Sequence, residues 1–199
     1  TSAGCDSLSG TWNPNLTCAT PCPILVNCTC QDEPQTHCHL DTVAIPNNSP
    51  GGVDVIIVVP VRYHITDVNV CFDITHSSEG DLAMSLISPA SAEVTLMLHE
   101  GSGANFRCTV LDDEAEVGIG QGQAPYNDPY RPTLPLSGFD NQIAQGNWIL
   151  HISDTAPGNT GTLNWVCLNF TYDYIDAAQE NDLVPVEYSL SAYPNPFNP

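Results

Sequence analysis

Residues 67–89 read DVNVCFDITHSSEGDLAMSLISP, residues 101–116 GSGANFRCTVLDDEAE, residues 123–132 QAPYNDPYRP, and residues 136–170 LSGFDNQIAQGNWILHISDTAPGNTGTLNWVCLNF. Apolar side chains in these blocks recur at every second position. Val68, Val70, Phe72 and Ile74 alternate with Asn69, Cys71 and Asp73. The pattern returns in Leu82, Met84 and Leu86, in Val94, Leu96 and Leu98, in Trp148, Leu150 and Ile152, and in Val166, Leu168 and Phe170. A period of two places each set on one face of a strand. The runs are short and separated by Gly, Pro, Asn and Asp clusters, and no segment carries a helical period. The chain is therefore expected to be all-β, a sandwich with one buried face per sheet.

Outward from these blocks the organisation changes. The strand pattern begins at Val53, and the turn-forming run Ile45-Pro-Asn-Asn-Ser-Pro-Gly-Gly52 marks a boundary. Residues 1–45 are rich in Cys and Pro and show no period that would bury a core, so disulfides are expected to hold them. Residues 46–172 form the sandwich, residues 173–187 read as an acidic linker, and residues 188–199 open a further segment.

Composition narrows the function. The chain of 199 residues holds three arginines (Arg62, Arg107, Arg131), no lysine, and a formal net charge of -20. Such a surface repels nucleic acid and anionic lipid, which are bound through Lys and Arg. It attracts hard cations, and calcium (Ca2+) takes carboxylate and carbonyl oxygens. The excess of acids also serves solubility. Nine cysteines point to an oxidising compartment. Thr1–Cys5 has neither a basic nor an apolar leader region and reads as a mature N-terminus. The longest apolar run, Val53–Val61, is interrupted by Asp54 and Pro60 and is too short to span a bilayer. The expectation is a secreted or cell-surface protein that is not membrane-embedded and does not bind nucleic acid.

The four opening blocks, in their order, resemble the P domain (P/Homo B) found downstream of subtilisin-like proprotein convertases and in bacterial secreted proteins. The resemblance covers about half of the chain and implies a jelly-roll β-sandwich that is not itself catalytic. Two departures stand out. Val166 occupies the family's usual Trp position in the closing strand, with Trp165 one residue earlier, and Asn159 replaces the Asp of the family's Gly-Asp-Thr-Gly turn. The tail Tyr193-Pro-Asn-Pro-Phe-Asn-Pro199 resembles the opening of the sorting domain of bacterial type IX secretion substrates.

Candidate sites follow. Asp112, Asp113 and Glu114 are the densest carboxylate cluster, and adjacent acids repel unless a cation or turn amides compensate. Resemblance to calcium-bearing P domains makes these three the expected calcium ligands, with Asp81 and Asp154 joining from neighbouring loops. The competing reading is that Asp112 or Asp113 caps a turn. His76, before the Gly80-Asp81-Leu82 turn, is expected to be structural, bonded to a backbone carbonyl or Asp81, because no nucleophile motif accompanies it. Zinc at His37, His39, Cys28 and Cys30 is disfavoured, because alternate residues of an extended chain point apart. Cys71 and Cys167 lie on the faces opposite their strands' apolar sets, and the resemblance implies a bridge between them. Cys108 is either the odd thiol or bonded to the N-terminal segment. Four Asn-x-Ser/Thr triplets, at Asn15, Asn27, Asn47 and Asn169, are read as chance matches rather than glycan sites.

The expected role is a non-catalytic extracellular structural or interaction protein, self-assembling as a surface or filament subunit, or contacting another extracellular protein. Ile24, Leu25 and Val26 are the expected docking residues; the competing reading folds the arm back over an edge strand of its own sandwich. The alternative function is an accessory or substrate-binding P domain of a secreted subtilisin-like protease or other hydrolase.

Overall fold

The computed structural model describes residue 28 and residues 35–173. Ten strands run in chain order: β1 (Thr36–His39), β2 (Val43–Ile45), β3 (Ser49–Val59), β4 (His64–His76), β5 (Leu82–Ile87), β6 (Glu93–Leu98), β7 (Phe106–Leu111), β8 (Pro129–Tyr130), β9 (Gly146–Asp154) and β10 (Gly161–Asp173). They form two sheets. One has the order β1-β10-β4-β7-β8, with β2 also paired to β10; the other has the order β3-β9-β5-β6. All pairings are antiparallel except β7 with β8. The result is a two-sheet, mostly antiparallel β-sandwich.

The alternation seen in the sequence becomes the core. Val68, Val70, Phe72 and Ile74 of β4 face Trp148, Leu150 and Ile152 of β9 across the interior, with Leu163, Val166, Leu168 and Phe170 of β10 beside them. Trp148 is fully buried, and its indole N–H donates to the Ala144 carbonyl oxygen at 2.8 Å. Its ring meets Phe139 edge-on and leans on Phe170, with centroids 5.0 and 5.4 Å apart. Truncating such an aromatic costs about 3–5 kcal/mol.

Two expectations need correction. Leu98 was grouped with Val94 and Leu96 as inward-facing, but it is exposed while Met97 is buried. The register slips between Met84/Met97 and Ser85/Thr95, so Leu96 is an extra residue on β6 and the faces exchange beyond it. Second, Thr36–His39 and Val43–Ile45 fall in the segment expected to lack strands, yet both pair with β10. They are too short and too polar to show a period, and pairing with a long, ordered neighbour forms them.

The outer face of β10 and β4 carries a smaller cluster, in which Cys28, Cys71 and Cys167 are buried against Cys38, Cys108, Val110 and Trp165. Disulfides join Cys28 to Cys108 and Cys38 to Cys167, with Cα–Cα distances of 5.4 and 4.1 Å. The expected Cys71–Cys167 bridge is thus replaced by Cys38–Cys167. Cys167 has a cysteine directly opposite on each side, Cys38 on β1 and Cys71 on β4. Only the existence of β1, invisible in the sequence, offers the first partner. Cys71 remains buried, with the Asn169 amide nitrogen 3.9 Å from its sulfur. Cys28, buried and bonded to Cys108, fastens that point of the N-terminal arm to its own sandwich. Ile24, Leu25 and Val26, the remaining arm cysteines and the 193–199 tail lie outside the described residues.

Candidate functional site: two acidic ends of the sandwich

The five expected calcium ligands do not converge. β4 runs thirteen residues, and it separates them. Antiparallel pairing sets Leu111 of β7 opposite Val70, so Asp112–Glu114 lie toward the start of β4, beside Asp67. Asp81 and Asp154 lie at the other end, next to His76.

At the first end, backbone amides hold two of the three acids. Asp113 accepts the Leu136 and Ser137 N–H groups at 2.8 and 2.9 Å, capping the 3₁₀ turn Leu136–Phe139. Asp112 Oδ1 accepts the Glu114 N–H at 2.7 Å. These are the cap and turn roles weighed against metal binding. Repulsion remains around them. Burial, then Asp112, then Asp140 and Asp113 push the Asp67 carboxyl up, while its Val68 backbone bond opposes the shift. Burial and then Asp113 raise Asp140, and the hydrogen bond with Asp112 and the charge of Asp67 raise Glu114. Among the described residues, no group of three or more His, Cys, Asp or Glu side chains is placed to share a metal ion. The donors at this end do not, as they stand, fit a calcium cage.

At the second end His76 is buried, its Nδ1 accepting the Ser78 N–H at 3.1 Å. An acceptor nitrogen carries no proton, so Nε2–H is the donor to Asp154 Oδ2 at 3.3 Å. The partner of His76 is therefore Asp154 rather than Asp81 or a carbonyl. Asp154 Oδ1 accepts the Ala156 N–H at 3.0 Å. Both ring nitrogens are occupied, and a Cβ on Gly161 would stand 2.3 Å from the ring, so the imidazole is enclosed by Asp154, Ser78 and Gly161. Asp81 Oδ2 accepts the Asn159 amide at 2.6 Å, and its carbonyl accepts the Thr155 N–H at 3.0 Å. The departure at Asn159 has a physical consequence: the amide donates to Asp81 where an aspartate would repel it.

Two further groups at this end were not singled out from the sequence. Glu79, in the 3₁₀ turn Glu79–Asp81, is fully buried, and neither carboxylate oxygen has a hydrogen-bond partner. The Tyr126 hydroxyl is buried and likewise without one. In sequence Glu79 reads as a surface charge in a turn; the signal that could have found it is Gly101-Ser-Gly103, which leaves backbone free to pack over it. On the outer face of β4, Asp73 is buried and accepts from Arg107 at 2.7 Å and from Asn164 at 2.6 Å.

The described residues thus form a mostly antiparallel sandwich with a buried His–Asp contact at one end and amide-capped acids at the other. Residues 65–170 match the family model described as the proprotein convertase P-domain, and the chain belongs to that family. It is also similar to a calcium-dependent protease of Trichormus variabilis, 27% identical over 148 residues, which cover 73% of this chain and 18% of that protein. Among solved structures it is similar to a serine protease of Aeromonas sobria, alone and in complex with a chaperone. Each match has 17% identity, covers 71% of this chain and 28% of that one, and has a TM-score of 0.44. The chain thus spans less than a third of the length of the proteins it resembles.

Among the described residues no helix is long and apolar enough to cross a membrane.

Proposed function

We propose that this chain is a non-catalytic accessory module of a larger secreted protease, its P-domain sandwich wound as a jelly roll. The observation that carries the reading is the family match over residues 65–170, which takes in β5 to β9 and most of β4 and β10. The similarity to a protease, covering 73% of this chain, supports it. Export to an oxidising compartment is supported by two disulfides, and the type IX reading of residues 193–199 belongs to this proposal as the route. The filament reading rests on docking by the N-terminal arm. Cys28 spends its thiol on Cys108 of its own sandwich, which removes part of that support.

The test is to follow the native protein with antiserum raised against the purified chain. The antigen should run in non-reducing gels at the position of a casein-degrading band and be depleted together with that activity. Antigen recovered entirely apart from any protease would overturn the proposal.

A further inference from the structure

An endoprotease that cuts after basic residues must draw a lysine or arginine, with the bond that follows it, into its own cleft. Cleavage of a folded chain therefore tracks how often that bond is locally open. This chain has no lysine, and no arginine in residues 1–61 or 132–199. Both ends of the chain thus lack a basic bond to cut, whatever their conformation. The three arginines stand inside the sandwich, and the bond after each is closed in a different way. Arg62 precedes Tyr63, which is 1% exposed, stacks on Tyr172 with centroids 4.0 Å apart and accepts the Ala144 N–H on its carbonyl at 3.1 Å. A cut there requires a buried ring to leave the core. Arg107 lies in β7 between the fully buried Phe106 and Cys108, which is bonded to Cys28. Its N–H donates to the Pro125 carbonyl at 2.8 Å, and its guanidinium donates to buried Asp73 at 2.7 Å. A cut there requires the sheet to open. Arg131 is exposed, but Pro132 follows it, with φ fixed by its ring and no N–H to offer a cleft.

We infer that this chain, in its folded and oxidised form, withstands endoproteases that cleave after lysine or arginine. A surplus of acids for solubility accounts for the shortage of basic residues but not for their placement: two are closed by packing and the exposed one by a proline. The protection is selective. Leu40, between β1 and β2, is 65% exposed, and the loop of residues 102–104 is exposed, so the surface offers bonds to proteases of other specificities. The property lets the chain persist in a medium that holds such an enzyme. It is independent of the accessory role, because it concerns the chain alone and is read on the purified protein.

The experiment incubates the oxidised full chain with trypsin and, in parallel, with subtilisin, the two matched for activity on an unfolded substrate. Fragments are read on reducing gels and by mass. Trypsin should leave the chain at full length while subtilisin shortens it. After reduction and unfolding, trypsin should cut after Arg62 and Arg107 and leave Arg131 joined to Pro132. Ser102→Lys places a basic residue in the exposed loop, where local opening costs little, and trypsin should cut this variant about ten times faster than wild type or more. Reduction is needed to separate the two pieces, because Cys38–Cys167 spans the cut. Trypsin cleavage of the folded wild-type chain at any arginine, or cleavage after Arg131 in the unfolded chain, would overturn the inference. Equal resistance to subtilisin, or a Ser102→Lys chain as durable as wild type, would overturn it too, by assigning the resistance to rigidity rather than to the placing of basic residues.

Discussion

Removing the Cys38–Cys167 disulfide tests both the pairing and the presence of β1. The perturbation is the double substitution Cys38→Ala with Cys167→Ala, which leaves no new thiol from this pair. The bond spans a sequence separation of 129 residues, for which the chain-entropy relation gives about 5 kcal/mol at 25 °C. That is an upper value, because Cys28–Cys108, separated by 80 residues, already constrains the shared stretch between residues 38 and 108. About 3 kcal/mol is the expected loss, close to the typical measured effect. For a folded region of this size about 1 kcal/mol moves Tm by roughly 3–4 °C, so the variant should melt about 10 °C lower. Calorimetry without reductant reads this. Hydrogen exchange localises it: among the described residues β1 pairs only with β10, so its amides should lose protection while those of β4 and β9 keep theirs. A Tm loss below about 2 °C, or an unreduced wild-type peptide map joining Cys71 to Cys167, would refute the reasoning.

Three smaller perturbations follow from the same geometry. Asp113→Asn should lower stability by about 1 kcal/mol, read by urea denaturation, because one amide oxygen cannot serve both the Leu136 and Ser137 N–H groups as a carboxylate does. Asp67→Asn should raise Tm at pH 7, because a carboxyl held above its ordinary value of 3.8 penalises the folded state once ionised. The folded form binds the extra proton between 3.8 and the raised value, so the advantage should shrink as pH falls through that window and vanish below it. Arg107→Met should cost about 1–3 kcal/mol by stripping a buried Asp73 of its counter-ion, and adding Asp73→Asn should recover part of the loss in a double-mutant cycle.

The sandwich was legible because strands buried on one face must alternate. Val68 to Ile74, Trp148 to Ile152 and Val166 to Phe170 all face the core as their spacing required. The alternation failed where the backbone broke its own period, at Leu96, since a bulge leaves no mark in residue type. β1 and β2 were not legible because Thr36, His37, Cys38 and His39 are ordered by pairing and a crosslink rather than by burial of an apolar face. With β1 hidden, strand alternation and the family resemblance together pointed Cys167 to Cys71 rather than to Cys38. The acidic residues illustrate a different limit. Asp112-Asp113-Glu114 stands out in one dimension, but in space its charges are met by turn amides. Glu79, one acid among 23, becomes conspicuous only when both its oxygens are found buried and unpartnered.

The account stands most directly on the state of the oxidised full chain in solution. An accessory module should sediment as one species of 21.4 kDa up to its highest soluble concentration and show no fibres by electron microscopy, the repulsion of a -20 charge opposing self-contact. A concentration-dependent series of larger species, or fibres built from the chain alone, would contradict it.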